Sequence, residues 1–191
     1  MGKFACLANS GNYDKLMGLY GELDEGLLML AKSEAEAIYV VDSFGALYSE
    51  QVHFLVSKYM HYCKSSGKEV GVHMHNNQQL AYANTIEGII EGANYLDATM
   101  AGLGRGAGNC QMELLLAFLH NPKYDLRPVL DCVQNHIEPL RAKLLWGYDL
   151  PYLLTGMLNQ HPRTAIRFKE AELKGTKGDI LHFYDSVTSE Q

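Results

Sequence analysis

Lys68-Glu69-Val70-Gly71-Val72-His73-Met74-His75-Asn76-Asn77 is an apolar run that stops on two histidines and two asparagines. A short apolar run bounded by polar and turn residues reads as a buried strand of a parallel sheet. Side chains alternate across a strand, so His73 and His75 are expected on one side of it, about 6–7 Å apart by strand rise. Two imidazoles so placed can share one divalent metal, which could polarise a carbonyl or stabilise an enolate. The other reading is a pair of hydrogen-bonded strand-end residues without chemistry.

Two similar runs flank this one, Ala37-Ile38-Tyr39-Val40-Val41-Asp42 and Ala93-Asn94-Tyr95-Leu96-Asp97-Ala98-Thr99, and Lys3 to Ala8 is a weaker fourth. Helical periods lie between them, over Tyr13–Lys32, Ser49–Ser65 and Gln78–Glu91, with Ser49 as an N-cap and Gly67 as a stop. The order is β-α-β-α-β-α-β-α at roughly 25–30 residues per unit, the pattern of parallel βα architecture. From Met112 onward the pattern turns helical, over Met112–His120, Leu126–Leu145 and Tyr152–Asn159. The polar tail from Lys169, broken by Gly175 and Gly178, is expected to be loose or partly ordered. The expected division is 1–125, 126–168 and 169–191.

The chain has 191 residues, enough for one domain with a real core, and 47% of them are hydrophobic. Its formal charge of −6, with no basic cluster, argues against nucleic acid. The four cysteines, Cys6, Cys63, Cys110 and Cys132, are scattered without C-x-x-C spacing and read as reduced thiols. No apolar run reaches about 18 residues and no signal-peptide pattern opens the chain, so a cytoplasmic protein without membrane contact is expected.

Polar groups collect where strands end. Asp42-Ser43-Phe44-Gly45 follows one strand, His73-Met74-His75-Asn76-Asn77 the next, and Asp97 through Asn109 the last. In parallel βα folds this is the active face. Gly102, Gly104, Gly106 and Gly108 recur at every second position, which suits a backbone that turns tightly near a ligand. The spacing departs from G-x-G-x-x-G and no Walker lysine follows, so nucleotide binding is not expected. Asn109 reads either as a helix N-cap or as a carbonyl-oxygen ligand for a hard ion such as magnesium or manganese. Asp42 and Asp97 read as ligands, loop caps or partners that orient histidine. Arg105 either holds a carboxylate or braces the Gly-rich loop. His53, His61, His120, His136, His161 and His182 show no partner at ligand spacing, and Cys110 is read as structural.

Val41-Asp42-Ser43-Phe44-Gly45-Ala46, His73-Met74-His75-Asn76 and Gly102 through Asn109 together resemble the DRE-TIM metallolyases. That superfamily includes HMG-CoA lyase, isopropylmalate and homocitrate synthases, and 4-hydroxy-2-oxovalerate aldolases. His-Met-His-Asn-Asn and Trp146-Gly147-Tyr148 point to the aldolase branch, and the resemblance spans about Lys3 to Asn159. It implies a (β/α)8 barrel of which this chain carries about strands five to eight, followed by carboxy-terminal helices. It also implies His73 and His75 as metal ligands, Asn109 as a further ligand, and Tyr148 as an aid to proton transfer. Arg105, Gly104 and Asp42 are the substrate-side candidates. The implied cofactor is a divalent metal, manganese first, with magnesium, cobalt and zinc also compatible. The implied reaction is cleavage or formation of a C–C bond next to a 2-oxo acid through a metal-stabilised enolate.

The Asp-Arg-Glu type motif that supplies the superfamily's third ligand and an arginine is not found here. Half a barrel leaves two strand edges and an apolar interior face open. The chain is therefore expected to be a fragment, one half of a two-chain enzyme or homo-oligomer, or an inactive short product. A catalytically silent half-barrel that binds a metal or a partner stays open as an alternative. So does an unrelated flavodoxin-like domain with an incidental histidine pair.

Overall fold

A computed structural model describes residues 13–189. Its element order is α1 (Tyr13–Ala31), β1 (Ala37–Asp42), α2 (Ser49–Ser66), β2 (Glu69–Met74), α3 (Ala81–Ile90), β3 (Tyr95–Leu96) and α4 (Met112–Leu119). Helices α5 (Leu126–Cys132), α6 (Leu150–Met157), α7 (Arg163–Leu173) and α8 (Ile180–Thr188) follow. The strands form one parallel sheet in sequence order, with Val41 opposite His73 and Gly71 opposite Tyr95. This is an incomplete (β/α) barrel. The Lys3–Ala8 candidate strand lies outside the described residues.

The two faces of the sheet have different fates. Ile38 and Val40 of β1, and Val70, Val72 and Met74 of β2, point to the helices and are buried. They pack with Leu27 of α1, Val52, Leu55, Val56 and Tyr59 of α2, and Leu115 of α4 in the main core. The opposite face carries Tyr39, Val41 and His73, which are half-buried, and Tyr95, which is exposed. The Tyr39 ring lies over Gly71 and meets Tyr95 edge-on, with centroids 6.4 Å apart. Runs that read as buried on both faces are thus covered on one, because the three strands of the described residues do not close a barrel.

Helix α2 starts and stops as its residues require. Tyr48, rather than Ser49, is the cap residue, and its N–H donates to Gln51 Oε1 at 3.0 Å. Gly67 ends the helix at φ 69°, the left-handed turn that lacks a Cβ penalty. Strand β3 is shorter than the run from Ala93 to Thr99. Only Tyr95 and Leu96 are in register with β2, and the chain then turns into the loop.

The helical stretch from Leu126 is also interrupted. After α5 the backbone forms a π turn over Val133–Ile137 and a 3-10 turn over Glu138–Ala142. Pro139 has no N–H to continue an α-helical ladder, which accounts for the break. The polar tail differs most from expectation. Residues beyond Lys169 complete α7 and form α8, whose Asp179 cap accepts from the Leu181 and His182 N–H groups. Ala165, Phe183 and Val187 build a second small core with Tyr152 of α6 and Ala107 of the Gly-rich loop. Phe168 stacks on Phe183 at 4.9 Å, so a few apolar side chains at helical spacing order a polar sequence.

Candidate metal centre

Strand β2 delivers His73 at its penultimate position, and His75 follows just beyond its end. Their ring centroids are 5.1 Å apart. Asp97 leaves the end of β3 and places Oδ2 2.9 Å from His73 Nδ1. A carboxylate on one ring nitrogen holds the imidazole's orientation and leaves Nε2 as the free donor atom, the usual arrangement behind a metal-binding histidine. The exposed Asp97 therefore serves as an orienting partner, one of its three readings.

His75 sits in a drier place. Burial, then the neighbouring His73 and the Arg105 charge, push its pKa down from 6.5 to about 4, against a hydrogen bond that its ring donates to the Gly108 backbone. It is therefore neutral near pH 7, the form that ligates a metal. The unfolded chain, with its histidine near 6.5, takes up a proton before the folded chain does. Stability is thus expected to fall as pH drops from about 6.5 toward about 4, with no contribution from His75 above that window. Thermal unfolding of metal-free protein, with His75→Gln as control, measures this; the control should flatten the decline.

The Gly-rich loop folds back along this strand end. Asn76 N–H donates to Gly108 O at 2.9 Å, Cys110 N–H to Met74 O at 3.2 Å, and His75 bridges Asn109 in antiparallel sense. Gln111, not Asn109, caps α4. Asn109 is 9% exposed, and its Nδ2 donates to Leu103 O at 3.2 Å and Thr99 Oγ1 at 3.5 Å. Its Oδ1 is buried and has no hydrogen-bond partner among the described residues. An orphaned amide oxygen costs about 1–3 kcal/mol, and a cation would satisfy it. His73 and Asn109 both line a pocket of about 240 Å³, with Leu96, Asp97, Ala98, Thr99 and Met112. Two imidazoles at one strand end and an unpartnered amide oxygen are donor types that fit a divalent ion.

The substrate-side candidates separate. Asp42 is 3% exposed, and its two oxygens accept from the Ala46 and Leu47 N–H groups at 3.0 and 3.1 Å. Burial raises its pKa and these bonds oppose the rise. Both of its carboxylate oxygens are engaged by its own loop, which it caps. Gly104 is packed on Asn109 Nδ2, where a Cβ would collide, so its part is to leave room for the amide. Arg105 is exposed and donates to Ser43 O at 3.1 Å, which ties two strand-end loops together. Tyr148 is 55% exposed, next to Gly147, whose N–H donates to Gly106 O at 3.0 Å.

Two histidines read as isolated have neighbours in the fold. His161 meets Phe44 edge-on, with centroids 5.4 Å apart, and burial, then Arg163 and Arg105, lower its pKa. His53 Nδ1 lies 3.1 and 3.0 Å from Glu87 and Glu91 on the outer surface of α2 and α3. These three are the one cluster of three His, Cys, Asp or Glu groups among the described residues that could hold an ion. It is away from the strand ends, and ordinary hydrogen bonds account for it. Neither contact had a sequence signal, since the partners are over 30 residues apart.

The HMGL-like family model matches residues 19–137, well over half of the chain. This chain belongs to the HMGL-like family. Among curated relatives, a 4-hydroxy-2-oxovalerate aldolase of Bacillus cereus (strain 03BB102) is 36% identical over 177 residues, covering 86% of this chain and 48% of that protein. An oxaloacetate decarboxylase of Mycobacterium tuberculosis (strain ATCC 25618 / H37Rv) is 40% identical over 116 residues, covering 59% of this chain and 33% of that protein. A solved amino-terminal domain from Bacteroides vulgatus, provisionally described as an aldolase, superposes with a TM-score of 0.60 at 32% identity. It covers 70% of this chain and 44% of that one. The carboxyl transferase domain of Rhizobium etli pyruvate carboxylase, solved with pyruvate and biocytin, shares the fold at 18% identity. Its TM-score is 0.61, over 87% of this chain and 29% of that one. The chain spans about half the length of the curated relatives it matches. Membership of the HMGL-like family agrees with the resemblance carried by the three strand-end motifs. No helix of the described residues is long and apolar enough to cross a membrane.

Proposed function

We propose that this chain carries the histidine half of a metal-dependent aldolase that cleaves or forms a C–C bond next to a 2-oxo acid. The observation that carries the reading is the buried, unpartnered Asn109 Oδ1 beside the same pocket as the Asp97-oriented His73. His73, His75 and Asn109 would hold the metal, and manganese suits two imidazoles with an amide oxygen. A divalent cation supplies Lewis acidity to the 2-oxo group, favouring the negative charge that develops as the bond breaks.

The chain's own residues supply the rest. Arg105, exposed at the loop edge, would bind the substrate carboxylate, giving up Ser43 O to do so. Tyr148 would exchange the proton of the substrate's 4-hydroxyl group as C3 and C4 part. The half-open sheet face calls for a complement. Beside β3, a groove of about 710 Å³ lined by Leu96, Ala98, Leu115, Leu116 and Val129 offers an apolar seat for it. An amino-terminal half-barrel, or a second copy of the chain, would cover that face and pair the edge of β3. The free thiols Cys63, Cys110 and Cys132 suit a reducing, cytoplasmic setting. The second reading is a binding module without turnover, favoured by the exposure of the inner face at Tyr95.

Supplying the amino-terminal half of the Bacillus cereus aldolase, with manganese, tests the two readings. The expected result is pyruvate released from 4-hydroxy-2-oxovalerate, absent when this chain carries His73→Ala. A complex that forms and holds manganese but releases no pyruvate supports the binding module.

A further inference from the structure

Ala101 is one of four non-glycine described residues with positive φ, here 51°, a conformation made costly by its Cβ. Two side chains from separate stretches grip its peptide groups. Glu113, in the first turn of α4, accepts the Ala101 N–H on Oε2 at 3.0 Å. Trp146, 45 residues away, donates its indole Nε1–H to Ala101 O at 2.9 Å. The indole is itself held, with the Arg141 guanidinium 4.3 Å from its ring centre and Arg141 Nη1 donating to Trp146 O.

The residues just after Ala101 hold Asn109. Gly102 O accepts the Asn109 backbone N–H at 3.1 Å, and Leu103 O accepts its side-chain Nδ2 at 3.2 Å. The direction of both carbonyls depends on the turn that Ala101 makes. A relaxed Ala101 would swing them away, and Asn109 Oδ1 would lose its buried, unpartnered position.

We propose that Glu113 and Trp146 are positioning residues for the metal centre. They clamp Ala101 in its left-handed turn and thereby aim Asn109 Oδ1. This rests on the reading of Asn109 as a metal ligand. The clamp itself can be tested without metal.

The experiment uses the full chain with Trp146→Phe, which keeps an aromatic ring and removes the donor, alone and combined with Ala101→Gly. Manganese affinity is read by electron paramagnetic resonance. Hydrogen exchange of the Asn109 amide is read on metal-free protein. Trp146→Phe is expected to weaken manganese by about 10–100-fold, the usual effect of losing a group that orients a ligand. It should also speed Asn109 exchange. Adding Ala101→Gly should recover part of both losses, because glycine makes the left-handed turn without a clamp. A tryptophan that only packs would show no such rescue.

Unchanged exchange and affinity in Trp146→Phe overturn the proposal, as does a loss that Ala101→Gly leaves untouched. If the wild-type chain binds no manganese, the metal reading fails, and exchange alone decides whether the clamp holds Asn109. Glu113→Ala provides the same pair of comparisons from the other side of the turn should Trp146→Phe not fold.

Discussion

His73→Ala and His75→Ala are each expected to remove measurable manganese or zinc binding from this chain. Each deletes a donor atom, so the loss should exceed the about 10–100-fold that follows removal of a group behind a ligand. Asp97→Ala falls in that smaller class, since it frees the His73 ring to turn while leaving both imidazoles in place. The graded order, either histidine well below Asp97 and Asp97 below wild type, distinguishes a built site from incidental binding to surface imidazoles. Titration with manganese under anaerobic conditions, together with thermal unfolding of each variant, measures it. His73 is 29% exposed at its side chain, so unfolding should change little in His73→Ala. Equal affinity in all four proteins would remove the metal centre from the strand ends and turn attention to His53, Glu87 and Glu91.

The other large effect is expected at Gly108. Its φ is 82°, and a Cβ there would run into Gly102 O, the same oxygen that accepts the Asn109 N–H. Gly108→Ala therefore combines a left-handed backbone penalty of about 1–2 kcal/mol with a clash against backbone that cannot step aside. A loss of about 3–4 kcal/mol is expected, at the upper end of single-substitution effects. Gly175→Ala is the control. Its φ is 89° but nothing lies within 4 Å of the added carbon, so it should lose only the backbone part. The gap between the two variants in denaturant unfolding measures the clash. The metal affinity of any folded Gly108→Ala should fall as well, because relief of the clash moves the carbonyl that seats Asn109.

Several parts of this molecule were legible from local pattern. The short apolar run Ala37–Asp42 and the run ending at His73 are strands whose bounds lie within a residue of expectation. Gly67 stops α2 where a left-handed residue was needed. The apolar spacing of Ala81–Ile90 is a helix on the sheet. Other parts were not legible. Over Leu126–Leu145 the apolar period predicts one helix, but the missing N–H of Pro139 interrupts it. The charges of the polar tail mask Ile180, Phe183 and Val187, which meet Phe168 only across two helices, so its order is not legible from local pattern.

By itself the sequence determined that βα units repeat here, that His73 and His75 leave one strand end together, and that a Gly-rich loop follows. Each is a matter of spacing along the chain, and strand alternation or helical period converts spacing directly into side-chain direction. Only the tertiary structure decided which oxygen meets which nitrogen. Asp97 reaches His73 across 24 residues, and Trp146 reaches Ala101 across 45. Asn109 Oδ1 is orphaned only because loop, strand and α4 close around it. Such contacts depend on packing between elements, and the spacing within one element carries no record of the distance to another.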